Sequence, residues 1–557
     1  MHRAIDRSRA RPIILTAEEA ECPDCKGGLV ITQHRDRYVQ RLNELVHQQC
    51  RDKSCPRGDC VGTDKLYRPL VDLRLALPRM SFGLDVVVAV GERHLDRGES
   101  LSQIGRDLTA QGVPIHQTHV GQLLRSFVTL CKLARGEEEQ VRQRLLQQGG
   151  IYLMVDGVQF DDRSPVLYLC WDAKSGTPLF GERLAARDGH TMGALLRRVK
   201  RLAVPVRGII TDGEKGLVSA VAAVFPEVPH QLCHTHFLKN CARPLESDLR
   251  QLGASVEQRA ERVRKLERQW DKEAPPAVPA AGSAEAAGAA PGTDLQVARE
   301  LLALVKPQAK SSGKAPLAPP ELLRHQRLEQ VRKTVQEAAK KKDLSGAPVP
   351  TPCLDALAKA LSLDWHQVRV ARRVERHVEL LREVARRLRT APDRPDRPQD
   401  AAAAETQFWD FLSGLQRTTP RAGLNAKTAS FVDHLVAIAG RYGPHLFHCF
   451  DDPELPATTN QLEGFFGKTK HQARRALGCG GTTHSLVHNL GDEFLLAYQQ
   501  VTAGSLDLRA EPIDPQAYRQ ARDELRDQEQ PARQRRSFVR RLGSHLKEIL
   551  SHWMALF

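Results

Sequence analysis

Between residues 150 and 232 the apolar positions come in short runs broken by turn residues. "IYLMVDGVQF" (151–160) predicts a first strand. "SPVLYLCWDAKSG" predicts a second, after the turn residues Asp161, Asp162 and Ser164, and "TPLFGERLAA" a third, after a Ser175-Gly176 turn. "HTMGALLRRVKRLA" then takes a helical period. "VRGIITDG" is a short buried strand, "EKGLVSAVAAVF" a helix, "PHQLC" a last short strand, and "HTHFLKNCARPL" the start of another helix. Three hairpin-connected strands followed by alternating helices and strands predict a mixed sheet with helices on its faces.

The pattern on either side is helical. "SFGLDVVVAVGERHLDRG" is apolar at helical spacing and stops at Gly98; "SLSQIGRDLTAQG" follows, with Ser100 as N-cap and Gly112 as stop. "HQTHVGQLLRSFVTLCKLA" is helical again. Two short helices joined by a tight turn predict a helix-turn-helix, whose second helix would offer His116, Gln117, Thr118 and Arg125 to a major groove. The same pattern also fits an ordinary piece of helical bundle. Beyond about 243 the strands stop. Charged amphipathic helices alternate with breaker-rich stretches at 274–294, 306–320 and 390–403, and helices resume through 406–447. The tail "ARQRRSFVRRLGSHLKEIL" is a strongly basic helix, which fits phosphate contact and a solvated face equally.

Composition adds a partner and a metal. The 557 residues exceed one compact domain, and 41% hydrophobic residues suffice for real cores. A formal charge of +15 favours a polyanionic partner, most simply nucleic acid. No run of about 18 apolar residues predicts a membrane span, and the N-terminus lacks an apolar signal core. The 12 cysteines are too sparse for a disulfide scaffold. They cluster at Cys22 and Cys25, then at Cys50, Cys55 and Cys60. Two close pairs separated by a loop predict a zinc ribbon with Cys22, Cys25, Cys50 and Cys55 as ligands. The second pair has a wide gap, so Cys60 or His47 could replace one ligand.

A buried-looking first strand that runs onto Asp156 needs explaining, since an ionised carboxylate is seldom buried without a partner or metal. One answer is an Asp-Gly turn. The other is convergence. Asp212 ends the fourth strand, a neighbour of the first in the expected order, and Glu463 in "TTNQLEGFF" could supply a third acid from a late helix. Three carboxylates suit two Mg²⁺ (or Mn²⁺) ions, which take oxygen ligands and, about 3.5–4 Å apart, clamp a phosphodiester. Asp212-Gly213 also reads as a strand-to-helix cap, and Asn460 with Glu463 has the spacing of a capping box. Asp161, Asp172 and Glu454 are weaker rivals.

"VDGV", "TDGEKGL", "QLCHTHFLKN" and "TTNQLEGFF", in that order, resemble DDE transposases of the Mutator-like class and their bacterial insertion-sequence relatives. The resemblance covers about 150–480 and implies an RNase H-like core interrupted by a large all-α insertion. It implies catalytic roles for Asp156, Asp212 and Glu463, and active-site help from Cys233 and His236. On chemistry alone these last two are a core thiol and a helix-cap imidazole, with His234 as an alternative. The resulting division is 1–65 zinc ribbon, 66–145 helix-turn-helix, 146–242 first part of the core, 243–455 helical insertion, 456–500 last part of the core with Glu463, and 501–557 basic tail. The expected partners are double-stranded DNA, both terminal inverted repeats and target, and a second copy of the chain, since paired ends imply at least a dimer. Lys468 and Lys470 would touch phosphates or form a solvent-facing stripe. The expected setting is a bacterial cytoplasm, at the nucleoid. A transposase-derived regulator that no longer cuts and an RNase H-like nuclease are the rival functions.

Overall fold

The computed structural model describes residues 7–77, 79–134, 138–159, 166–184, 186–273, 293–308, 313–340, 351–390, 398–423, 426–477, 493–502, 513–540, 543 and 550–551. The turn expected at Asp161, Asp162 and Ser164 lies outside them, as does most of the low-complexity stretch 274–294. The chain forms two compact units, Met1–Pro229 with Thr459–Phe557, and His230–Thr458. No helix among the described residues is long and apolar enough to cross a membrane.

The first unit opens with strands β1 (Arg11–Thr16), β2 (Val30–Gln40) and β3 (Leu45–Ser54), ordered β1-β3-β2. β1 runs parallel and β2 antiparallel to β3. These strands are not legible as an apolar pattern because their inner face is polar. Arg35 bonds Asp52 at 2.9 Å and Asp72 at 2.9 Å, and Gln48 reaches Asp72 at 2.6 Å. Asp72 comes from the short helix α1 (Leu70–Leu75) and is buried, so ion pairs and amides fill the place of aliphatic side chains.

Three helices follow: α2 (Leu84–Leu95), α3 (Leu101–Ala110) and α4 (Gln117–Ala134). Ser100 caps α3 as expected, accepting the Gln103 N–H at 3.2 Å, and Gly112 takes φ +92°. α2 and α4 meet at a glycine. A Cβ on Gly91 would lie 2.2 Å from the Phe127 ring, so only glycine permits this approach. Beyond its first two turns α4 is buried on most sides, through Phe127, Val128, Leu130 and Cys131. Helix α5 (Glu138–Gln147) leads into the second sheet.

That sheet holds β4 (Ile151–Val158), β5 (Val166–Asp172), β6 (Thr177–Leu184) and β7 (Val206–Thr211). Their order is β6-β5-β4-β7, with β4 to β6 antiparallel and β4 parallel to β7. The first strand therefore lies beside the fourth. Helices α6 (Gly189–Arg201) and α7 (Lys215–Val224) cover one face, where Leu153, Val155 and Ile209 pack with Met192, Leu196, Leu217 and Val221. Gly216 lets α7 pass the loop between β6 and α6; a Cβ there would sit 2.1 Å from the Arg187 carbonyl oxygen.

The second unit is helical apart from a short first strand. It runs β8 (His230–Leu232), α8 (His234–Ala242), α9 (Glu246–Glu273), α10 (Thr293–Gln308), α11 (Pro320–Ala338), α12 (Pro352–Leu361), α13 (Trp365–Arg387), α14 (Ala401–Thr418), α15 (Ala426–Tyr442) and α16 (His448–Asp451). One core gathers Val256, Val263, Leu328, Val335 and Leu357; another gathers Leu252, Leu322, Val370, Val374 and Val378. Asp248 and Arg373 form a bidentate pair between α9 and α13, at 2.5 and 2.6 Å. The first unit then resumes with α17 (Asn460–Leu477), α18 (Glu493–Thr502) and α19 (Pro515–Arg540). The basic tail thus starts as a packed helix, with Tyr518 donating to Ser126 of α4 at 3.1 Å.

Candidate active site and metal centre

Asp156 lies inside β4, its backbone opposite Leu169 with Gly157 opposite Tyr168, so the Asp-Gly pair is not a turn. Strand alternation sends Leu153 and Val155 into the helix-covered core and turns Tyr152, Met154 and Asp156 to the other face. Gly157 points toward the core, where a Cβ would meet Val166 at 2.7 Å and Tyr168 at 3.0 Å. Its N–H donates to Asp156 Oδ1 at 2.7 Å. On the parallel neighbour, Val155 pairs with Thr211. Asp212 is the next residue, in the turn that follows β7.

Asp212 also shapes its own turn. Its Oδ1 accepts the Glu214 N–H at 2.8 Å while Gly213 takes φ +84°, an Asx turn ahead of α7, whose N-cap is Glu214. The neighbouring acids are already engaged. Glu214 accepts the Tyr168 hydroxyl at 2.6 Å and lies 3.9 Å from Arg187. Burial, and next the Glu214 carboxylate, push the Tyr168 phenol above its ordinary range. Because Tyr168 belongs to the helix-covered core, this bond draws Glu214 away from the Asp156 face. Asp172 is fully buried and accepts from Gln148 at 2.7 Å, the Tyr152 N–H at 3.2 Å and the Ser175 hydroxyl at 2.6 Å. It is a structural staple. Glu454 belongs to the second unit and is exposed, and Asp161 lies outside the described residues.

Glu463 sits in the first turn of α17. This helix packs on the acid-bearing face: Phe465 meets Trp171 at 5.1 Å, and Trp171 stands opposite Met154, two residues before Asp156. Leu462, Phe465, Phe466 and Thr469 form the buried stripe, and Glu463 lies half-buried on its shoulder. The N-cap lies one residue earlier than the expected capping box. The Glu463 N–H donates to the Thr459 carbonyl at 2.9 Å, so buried Thr459, not Asn460, takes the N-cap place, and Glu463 falls one position past N3. Asp156 and the Glu463 helix thus lie on one face of the sheet, and Asp212 follows Thr211, the partner of Val155; the three carboxylates are not among the groups of metal-ligating side chains gathered within 4.8 Å among the described residues.

Four thiols converge at the N-terminus, and one ligand differs from expectation. Cys22, Cys25, Cys55 and Cys60 place their sulfurs within 4.8 Å of one another. The Cys22–Cys60 separation is 3.8 Å and Cys25–Cys55 is 3.5 Å. Thiolates about 2.3 Å from a tetrahedral zinc lie about 3.8 Å apart, so this set fits Zn²⁺. The knuckle is built by Lys26 at φ +56° and by the Cys22 N–H bonding Gly27 O at 2.8 Å. The Cys25 N–H, against the opposing effect of burial, lowers the Cys22 thiol to about 6, favouring the thiolate a metal needs. Cys50 is not part of the set. It lies on β3 on the face of Val46, Gln48 and Asp52, where Gln48 donates to its sulfur at 3.2 Å and burial pushes the thiol up to about 11. Strand alternation makes Cys50 a core residue, while Cys55 lies just past the end of β3. Cys60, held open as a substitute in the sequence, completes the tetrahedron. His47 stacks on Tyr38 instead, with ring centroids 4.5 Å apart.

The DNA-contact candidates are mostly on the surface. His116, Gln117 and Thr118 are exposed at the start of α4 and Arg125 is exposed midway along it, and Lys468 is exposed on α17 while Lys470 is half-buried. His116 Nδ1 lies 2.6 Å from the Thr118 hydroxyl, an N-terminal cap for α4. In the second unit Cys233 is buried at the N-cap place of α8 and His236 is half-buried one turn on. His234 is a core residue: its Nε2 contacts the Leu446 carbonyl at 2.7 Å, and burial pulls its pKa down to about 4.

Residues 193–240, from α6 through most of α8, match the family model of the MULE transposase domain. The matched segment contains Asp212, Cys233 and His236. No curated protein matches the chain. The match supports a transposase or transposase-derived role of Mutator-like type, with DNA as the general partner.

Proposed function

We propose that the chain is a DDE transposase that binds the ends of its element and cuts and joins DNA at Asp156, Asp212 and Glu463. The observation that carries this reading is the parallel register of β4 and β7, in which Asp156 and Asp212 follow the paired residues Val155 and Thr211, with the Glu463 helix packed on Trp171 of the next strand. The MULE match around Asp212 supports it independently. The order β6-β5-β4-β7, with an antiparallel trio beside a parallel fourth strand, supports an RNase H-like core. Bound magnesium would supply Lewis-acid polarisation of the phosphodiester and charge to offset the three carboxylates. The chain's part is to hold the acids on a rigid sheet and to aim Glu463 from a helix start packed by Phe465.

In the first step a water oxygen attacks the phosphorus at the element end. The P–O3′ bond breaks, leaving a 5′-phosphate and a 3′-hydroxyl that takes up a proton. In the second step that 3′-hydroxyl attacks a target phosphorus, loses its proton, and releases the target 3′-oxygen. Each step exchanges one phosphoester bond for another or for water, so no nucleotide cofactor is consumed. The zinc-binding module and the α3–α4 pair would hold the terminal repeats, using His116, Gln117, Thr118 and Arg125 on bases, with Lys468 and Lys470 on phosphates. Cys233 and His236 would position DNA. Paired ends require at least two copies of the chain, working at the nucleoid of a bacterial cytoplasm.

The test is Mg²⁺- or Mn²⁺-dependent nicking of duplexes taken from the flanks of the reading frame, wild type against Asp156→Ala. The proposal requires nicking and joining by the wild type alone. Equal activity in both rejects the site. Binding without cutting points to a regulator, and cutting without joining points to an RNase H-like nuclease.

A further inference from the structure

The second unit holds an aromatic ring in solvent. Trp365, the first residue of α13, is 71% exposed and is the one aromatic among the exposed large hydrophobics of the described residues. The Arg369 guanidinium lies 4.6 Å from the centre of its ring. Positions 365, 369, 372 and 376 fall along one line of the helix. All four residues, Trp365, Arg369, Arg372 and Arg376, are exposed, over about 16 Å of helix.

The charge on this line is not neutralised. Elsewhere on α13 the cations are paired: Arg373 with Asp248, Arg382 with Glu379, and Arg386 and Arg387 with Glu383. Arg369, Arg372 and Arg376 have no carboxylate partner among the described residues. Like charges three and four residues apart destabilise a helix. Three unpaired guanidiniums in a row are therefore costly unless a polyanion meets them. Beside Trp365, between α9 and α13, opens a cleft of about 210 Å³ lined by Gln251, Ser255, Gln258, His366 and Gln367. Gln367 donates to Gln258 across it at 2.9 Å and accepts the N–H of Asp364, which also lines the cleft, so the cleft wall is polar.

We propose that this face binds a single-stranded segment of DNA, with Arg369, Arg372 and Arg376 along the phosphates and Trp365 stacked on an unpaired base. A duplex keeps its bases stacked on one another and gives the indole no face to cover; a strand with free bases does. The choice of DNA over RNA rests on the proposed function. The strand contact itself does not depend on the carboxylates of the first unit.

The test uses the full-length protein and a mixed-sequence 12-nucleotide DNA strand, read by fluorescence anisotropy of the labelled strand and by acrylamide quenching of tryptophan. Trp171 and Trp270 are each only 5% exposed, and the difference between wild type and Trp365→Phe isolates the Trp365 signal. The strand should shield that signal. Trp365→Ala should weaken strand binding about tenfold or more, the usual worth of one stacked base. Replacing Arg369, Arg372 and Arg376 together by Gln should lower the slope of log K against log salt by about 2. Asp156→Asn should bind the strand as the wild type does, so loss of cutting and loss of strand binding are separable failures. Wild-type affinity in Trp365→Ala, or equal shielding by a duplex of the same sequence, overturns the proposal. Tighter binding of the matching RNA strand overturns the assignment to DNA.

Discussion

Val155 and Thr211 pair on the parallel strands β4 and β7, and each is followed directly by an aspartate, Asp156 and Asp212. Two carboxylates that hold a shared pair of metal ions repel each other when the ions are absent. Changing either to Asn should abolish metal-dependent nicking, by at least about 100-fold. The same change should leave the metal-free thermal midpoint unchanged or raise it. A lower midpoint would mark the pair as structural.

Glu214 is the nearest acid in sequence to Asp212, yet it bonds Tyr168 on the core side. Glu214→Gln should keep nicking within a few-fold of wild type. It should cost about 1–2 kcal/mol of stability, the usual loss when a charged hydrogen-bond acceptor becomes neutral. Activity assays beside thermal unfolding separate the two effects. A 100-fold loss of activity with unchanged stability would move Glu214 into the site.

Zinc content distinguishes the two cysteine sets. Cys60→Ser should lose bound zinc and open the N-terminal module, whereas Cys50→Ser should retain about one zinc per chain. Metal analysis of the purified variants reads this directly. Removing zinc by chelation should weaken binding to duplex DNA without changing the helices of the second unit.

Buried histidines make the second unit sensitive to acid. Burial first, then the neighbouring His445 and His448, lower His230 to about 3, and burial lowers His234 to about 4, from 6.5 in each case. In the unfolded chain both titrate near 6.5. Their contribution is therefore fully present above that pH and is lost as pH falls from about 6.5 toward 4 and 3. Amide hydrogen exchange in α8 should quicken as pH drops from 7 to 5, after correction for the intrinsic rate. His234→Gln should flatten that dependence. A pH-independent opening would contradict the burial argument.

The core strands were legible because both their faces are covered. "IYLMV", "VLYLCW" and "GIIT" are continuous apolar runs, and the turns between elements carry Gly or Asp. The sheet at β1–β3 was not legible, since Arg35, Arg37, Gln48, Asp52 and Asp72 replace the aliphatic pattern with an ion-pair network. Cysteine spacing indicated a zinc module and three of its four ligands, Cys22, Cys25 and Cys55. Only the pleat of β3 tells Cys50 from Cys55, and Cys60 returns through a loop whose path spacing does not encode. The capping box at Asn460 failed by one residue because Thr459 also has a capping side chain, and packing of Leu462 and Phe465 decides the phase. Trp365 read as part of one more amphipathic helix; its exposure depends on which face α9 covers.

The most direct test of the account is metal uptake at the three acids. Mn²⁺ binding to the DNA-bound protein, followed by electron paramagnetic resonance, should show two spin-coupled ions per active site in the wild type. The pair should be lost in each of Asp156→Asn, Asp212→Asn and Glu463→Gln, with zinc content unchanged. An intact coupled pair in Glu463→Gln, or no uptake by the wild type on DNA, would contradict the claim that these three residues form one centre.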